Sequence, residues 1–355
     1  VDSLPLIVLL AIFLAAALAV WVAGIKLSET TDVLATRLGL GAALGGLILL
    51  AIATNLPEIA IVVTASLAGD LGIAIGNILG GIAIQTVVLV VLDVFGVEGQ
   101  RPLTYVSASL AIVLEAVLVI AVLVTVVMGS RLPSGFTFGR VEPGAVLIVL
   151  VWATGLWLLG RARRGLPWHE DGEAPANQPE PRGHSQEKTE KRASEAGVGT
   201  GRAAASFGAA AAVTLVGGVF LAQSGEAIAT RIGMSGVLFG STVLAAATAL
   251  PEVSTGLASV RMKDYQLAMS DIFGGNAFLP VLFLVGNLLS GRAVLPQARA
   301  TDIYLTALGA LLTGVYVFGL VFRGGRRIGR MGLDSLVVLV LYVVGIGGLV
   351  AIATR

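Results

Sequence analysis

Two glutamates stand where a carboxylate is costly. Glu58 and Glu252 each end the pattern Thr-x-Leu-Pro-Glu inside a long apolar run. At lipid depth such a group must face a partner, a water-filled cavity or a bound cation. Pro57 has no N–H, so the carbonyl of Ala53 loses its helical donor; Pro251 does the same to Ala247. Thr54 and Glu58 are spaced i, i+4 on one helix face, and Thr248 and Glu252 repeat that spacing. Hydroxyls, freed carbonyls and two carboxylates form an oxygen-only donor set. It suits Ca2+, which takes roughly six to eight oxygens in flexible geometry, and not soft transition metals. The expected metal ligands are Glu58 and Glu252. Two such acids sharing one cavity repel each other unless cations or protons neutralise them. Ca2+ can do so, and so can two or more Na+ or H+. If only a filled site can pass between inward-facing and outward-facing states, coupled exchange results.

The helices that follow supply further candidates. Asn77-Ile78-Leu79-Gly80-Gly81 matches Asp271-Ile272-Phe273-Gly274-Gly275, which puts Asn77 and Asp271 in equivalent places. The paired glycines permit close helix approach in lipid. Gln85, deeper in the same span as Asn77, offers an amide oxygen. Glu115 lies in the middle of another apolar run, opposite Gly309 in the second half, and is a candidate proton site or lateral latch. Asp93, Asp32 and Glu226 lie near span ends and are expected to be solvated.

These residues need membrane helices to hold them. Of 355 residues, 56% are hydrophobic and 13% charged, and mean hydropathy is +0.93, values of a membrane protein. A net charge of +1 gives no case for nucleic acid. There is no cysteine, and both histidines, His169 and His184, fall in one polar stretch. Thiol chemistry and a histidine-ligated metal at lipid depth are thereby excluded. An intramembrane enzyme would lack its nucleophile or metal ligands, and no cofactor or obligate protein partner is implied. Inorganic cations and the bilayer are the expected partners.

Spans of about 20 apolar residues are read at 4–24, 40–67, 71–95, 104–128, 143–160, 203–223, 234–260, 266–290, 301–322 and 333–353. The first lacks the basic start and cleavage site of a signal peptide and is taken as a span. Residues 161–202 are rich in charge, Pro and Gly, and read as a flexible loop between halves. Arg161, Arg163 and Arg164 place that loop in the cytoplasm and both termini outside, in a bacterial-type cell membrane. Trp21, Trp152, Trp157 and Trp168 are expected at the interfaces.

The chain also aligns on itself. Residues 35–58 and 229–252, offset by 194, share 13 of 24 positions. Each half, 1–160 and 203–355, holds five spans, and an odd number inverts the second half. Inverted repeats place an ion site near the midplane, on interrupted helices where the halves meet. The expected fold is therefore all-α integral membrane: ten transmembrane helices in two inverted five-helix repeats with interrupted core helices.

At these residues the chain resembles the cation/Ca2+ exchanger superfamily, in the sodium/calcium exchanger membrane region. That family's alpha-repeats carry a Gly-Thr-Ser-Leu-Pro-Glu-like stretch, then Gly-Asn-x-x-Gly-Ser-Asn. The corresponding stretches here are Ala-Thr-Asn-Leu-Pro-Glu with Gly-Asn-Ile-Leu-Gly-Gly (within about 40–95) and Ala-Thr-Ala-Leu-Pro-Glu with Ser-Asp-Ile-Phe-Gly-Gly-Asn (within about 234–290). The resemblance implies acidic ligands at Glu58 and Glu252, threonine ligands at Thr54 and Thr248, and backbone-carbonyl ligands at Ala51 and Ala245. Asn55 and Asn276 are added candidates from the same motifs. The family's serine after threonine is Asn55 and Ala249 here; its next serine is Gly81 and Gly275; its later polar residue is Gln85 and Leu279. The implied activity is secondary-active exchange of Ca2+ for Na+. The altered Na+ positions keep H+/Ca2+ exchange as an alternative, and a membrane Ca2+ sensor without transport is the reading from another class.

Overall fold

The computed structural model of the chain describes residues 4–37, 51–97, 99, 101–162, 199–233, 239–261, 263 and 265–353. The first half contains α1 (Leu6–Arg37), a helical turn at 51–54, α2 (Leu56–Ala68), α3 (Leu71–Phe95), α4 (Leu103–Ser107), α5 (Leu110–Gly129) and α6 (Pro143–Ala162). The second contains α7 (Thr200–Arg231), a π-helical turn Gly240–Leu244, α8 (Ala245–Thr248), α9 (Leu250–Arg261), α10 (Tyr265–Phe278), a 3-10 turn Leu279–Val281, α11 (Leu282–Ser290), α12 (Ala300–Phe322), a two-stranded hairpin of β1 (Arg327–Ile328) and β2 (Met331–Gly332), and α13 (Leu333–Ala353).

Among the described residues eight helices are long and apolar enough to cross a membrane, with Tyr265–Ser290 as one. Gly240–Thr248 and Leu250–Arg261 make a ninth span, bent by 47°. The shorter apolar helix α2 stands at the place in the first half that α9 holds in the second. Leu14, Phe318, Val343 and Val344 are more than 60% exposed, as lipid-facing side chains should be. The protein is an all-α integral membrane protein, and its helices fit the expected pair of inverted repeats.

The repeat survives folding in detail. The 194-residue offset carries Leu6 to Thr200 and Arg37 to Arg231, so α1 and α7 have equivalent bounds. Both outrun the expected 4–24 and 203–223 spans. At 32 residues each they reach about 48 Å, well past the roughly 30 Å of hydrocarbon. The expected 104–128 span is broken instead: Ser109 is extended (φ −153) and its hydroxyl accepts the Ile112 N–H, a serine N-cap that starts α5 afresh. Parts of the expected 40–67 and 234–260 spans and most of the 161–202 loop, with Trp168, lie outside the described residues.

Helices α1 and α7 pack along each other and against the other half's core helices, α1 on α9 and α7 on α2. Glycine makes both contacts. A Cβ on Gly24 would lie 2.9 Å from Cα of Pro251, and one on Gly218 would lie 2.8 Å from Cα of Pro57. Gly24 and Gly218 are equivalent in the repeat, as are the two prolines.

Two braces hold the far ends of the core spans. Asp93 ends α3; it is fully buried, not solvated as expected. Its carboxylate accepts N–H groups from Leu103 (2.8 Å) and Gly332 (2.6 Å), and Arg327 donates to its backbone carbonyl at 2.7 Å. The equivalent residue, Asn287, accepts the Val294 N–H at 3.2 Å, while Glu142 accepts Leu295 N–H at 3.1 Å. Arg327 stands in the β1–β2 hairpin and Glu142 just after its first-half counterpart. Both turns run through Gly-Arg, Gly139-Arg140 and Gly329-Arg330, with each glycine at φ +65, a conformation that favours glycine.

Candidate cation-binding site

The core spans break where the sequence places its prolines. The helical ladder is interrupted at Asn55, before α2, and at Ala249, before α9. The breaks put Glu58 and Glu252 in the first turns of new helices, where amide N–H groups and the helix dipole favour negative charge. Both glutamates are fully buried, as are Thr54, Thr248, Asn55, Gln85 and Asn276; Asn77 and Asp271 are 1% exposed.

The two halves interleave at this point. Thr248 of the second half faces Glu58 of the first. Thr54 of the first half faces Glu252 and Asp271 of the second. Glu252 lies within electrostatic reach of both Glu58 and Asp271. Gln85 reaches across to Glu252 Oε1 at 3.3 Å and holds Asn55 Oδ1 at 3.1 Å. Asn276 donates to Thr86 at 3.1 Å, tying α10 to α3. Residues 77 and 85 stand two helical turns apart on one face of α3, and Asp271 takes the equivalent face of α10.

Several buried oxygens in this cluster have no hydrogen-bond partner: both of Glu58, Oε2 of Glu252, Oδ1 of Asp271, and the side-chain oxygens of Asn77, Gln85 and Asn276. Leaving one such group unpaired costs about 1–3 kcal/mol, more when charged. A cation ligated by these oxygens would satisfy them together. Among the described residues no group of three or more His, Cys, Asp or Glu forms a metal cage. The donor set is instead mixed carboxylate, amide and hydroxyl.

Other expected ligands have more complex surroundings. The Ala51 carbonyl accepts the Asn55 N–H at 3.3 Å, its side-chain amide at 2.7 Å and the Thr54 hydroxyl at 3.4 Å. The Ala245 carbonyl accepts the Ala249 N–H at 3.0 Å and the Thr248 hydroxyl at 3.2 Å. Glu115 is buried in α5, a helix that packs on α10 and α12 and carries no other candidate. Trp157 is 61% exposed beside Arg161, whereas Trp152 packs on Phe278, 5.8 Å between rings.

Two members of the site escaped the sequence analysis. Thr255 donates to Asp271 at 2.7 Å, and Thr86 receives Asn276. Thr255 follows Glu252 at i+3, on the same helix face; a hydroxyl at that spacing in an apolar run was the available signal.

The profile of the sodium/calcium exchanger protein family matches residues 8–159 and 202–350. The inner membrane protein YrbG of Escherichia coli strain K12 is 26% identical over 307 residues, 86% of this chain and 87% of that protein. The sodium-calcium exchanger NCX_Mj superposes with a TM-score of 0.62 at 16% identity, covering 97% of this chain and 99% of that one. The H+/Ca2+ exchanger CAX gives 0.64 at 14% identity, covering 97% and 87%. Since the family match takes in the site helices of both halves, the chain belongs to the sodium/calcium exchanger protein family, whose members are secondary transporters rather than enzymes.

Proposed function

We propose that this protein exchanges Ca2+ for Na+ by alternating access at a single site between its halves. The observation that carries this reading is the convergence of Glu58 and Glu252, one from each repeat, on a buried oxygen cluster with unpaired acceptors. In this reading Glu58 and Glu252 ligate the divalent ion, and Thr54, Thr248 and the Ala51 and Ala245 carbonyls complete its shell. Asp271 and Asn77 take the monovalent ions, with Gln85, Asn55 and Asn276 lining the cavity. The halves span 1–160 and 203–355, the 161–202 segment is a cytoplasmic loop, and both termini lie outside a bacterial-type cell membrane. The arginines at 161, 163 and 164 support that orientation.

A second reading, H+/Ca2+ exchange, draws on one feature. Gly81, Gly275, Ala249 and Leu279 bring no side-chain oxygen to the cavity, which leaves fewer ligands for Na+ while the carboxylates can still take protons.

The test is 45Ca2+ uptake into proteoliposomes under Na+, K+ or H+ gradients in turn. Uptake driven by Na+ supports the first reading, and uptake driven by a pH gradient without Na+ replaces it with the second. Ca2+ binding without flux under any gradient would make the protein a sensor. Glu58→Gln and Glu252→Gln should each abolish uptake in a folded protein, and normal flux in both would remove the site.

A further inference from the structure

The site is not symmetric, and its asymmetry is built from amides. Gln85 donates through Nε2 to both Asn55 Oδ1 and Glu252 Oε1. Asn55 in turn donates through Nδ2 to the Ala51 carbonyl at 2.7 Å. This direction is self-consistent: with the Asn55 amino group held by a carbonyl, its oxygen faces Gln85, which must then present its own amino group. Three oxygens of the cluster, on Ala51, Asn55 and Glu252, are thus engaged by side-chain N–H groups. At the repeat-equivalent positions stand Ala249 and Leu279, both buried and apolar. Gly275 is shaped for the bridge, since a Cβ there would lie 2.8 Å from Asn55 Nδ2.

We infer that the Asn55–Gln85 bridge sets the number of counter-ions per cycle. Its fixed N–H dipoles hold the place of one monovalent cation beside Glu252. Monovalent ions then bind only at the remaining unpaired oxygens, those of Glu58, Asn77, Asp271, Asn276, Glu252 Oε2 and Gln85 Oε1. This deepens the antiport reading and rests on it. An amide donor stabilises a carboxylate with partial charge and cannot be displaced or carried across, whereas a cation in the same place would be both.

The experiment compares wild type with Gln85→Glu and Asn55→Asp in proteoliposomes, using whichever of the Na+ or H+ gradients drives wild-type Ca2+ uptake. The coupling ratio is read from the membrane potential at which net Ca2+ flux stops. Each variant exchanges a donor amide for a carboxylate of nearly equal volume. Each should carry one further monovalent ion per Ca2+, with a steeper dependence on that ion's concentration. Should a variant carry no flux, 22Na+ bound per chain in detergent gives the same answer, with one more ion expected than in wild type. Wild-type flux with an unchanged ratio and unchanged ion count in both variants overturns the inference and leaves antiport standing. No gradient-driven flux in wild type overturns both.

Discussion

At the scale of single residues, burial decides what a carboxylate does. Glu142 lies just ahead of α6, outside the spans, yet is only 3% exposed. Burial pushes its carboxyl above the ordinary carboxylate range, and the Leu295 N–H and the Asn287 side chain offset only part of that. The unfolded chain therefore ionises at lower pH than the folded one. The stabilisation from the protonated form is full below the unfolded value and is lost as pH rises through the folded value. Glu142→Gln keeps an acceptor for Leu295 and removes the titration. In detergent, the wild-type unfolding midpoint should fall relative to this variant as pH rises above the ordinary glutamate range. Parallel pH profiles for the two proteins would show that Glu142 ionises as freely as in the unfolded chain.

At the scale of elements, glycine brings the long helices onto the site helices. Gly218 on Pro57 and Gly24 on Pro251 leave no room for a methyl group. Those prolines precede the glutamates, so a displaced α7 or α1 is felt at the site one residue away. Gly218→Ala and Gly24→Ala should each cost about 1–3 kcal/mol of stability, the usual range for overpacking, and reduce Ca2+ uptake. Gly208, also on α7, would place a Cβ against nothing within 4 Å. Gly208→Ala is the control and should behave as wild type in thermal melts and flux. Equal behaviour of all three variants would contradict the close packing.

At the scale of the whole molecule, each half braces the other. Arg327 of the second half donates to carbonyls of Asp93, Val97 and Gly99 in the first, and its guanidinium lies 4.0 Å from the Asp93 carboxylate. Asp93 is fully buried and the Arg327 side chain 11% exposed. Removing one partner of a pair this buried costs about 3–5 kcal/mol, because the other is left uncompensated. Arg327→Ala should therefore lower the unfolding midpoint strongly. Asp93→Asn, which copies Asn287 at the equivalent place, should recover part of that loss when combined with Arg327→Ala. Simple addition of the two losses in the double variant would show that the residues do not interact.

Much of this was legible in the chain itself. Hydropathy marked the spans, and the 194-residue offset predicted equivalent halves, but α1 and α7 run past the ends of their apolar stretches, so their bounds did not follow from hydropathy. Thr-x-Leu-Pro-Glu marked the breaks, since proline cannot continue a helical ladder. The contacts between halves had no such local signal. Gln85 on Glu252 and Arg327 on Asp93 join residues that are 167 and 234 positions apart. Asp93 reads as an interfacial acid in sequence and proved buried, because what covers it arrives from the far end of the chain. A repeat names which residues are equivalent; only the packing of one half against the other decides which of them meet.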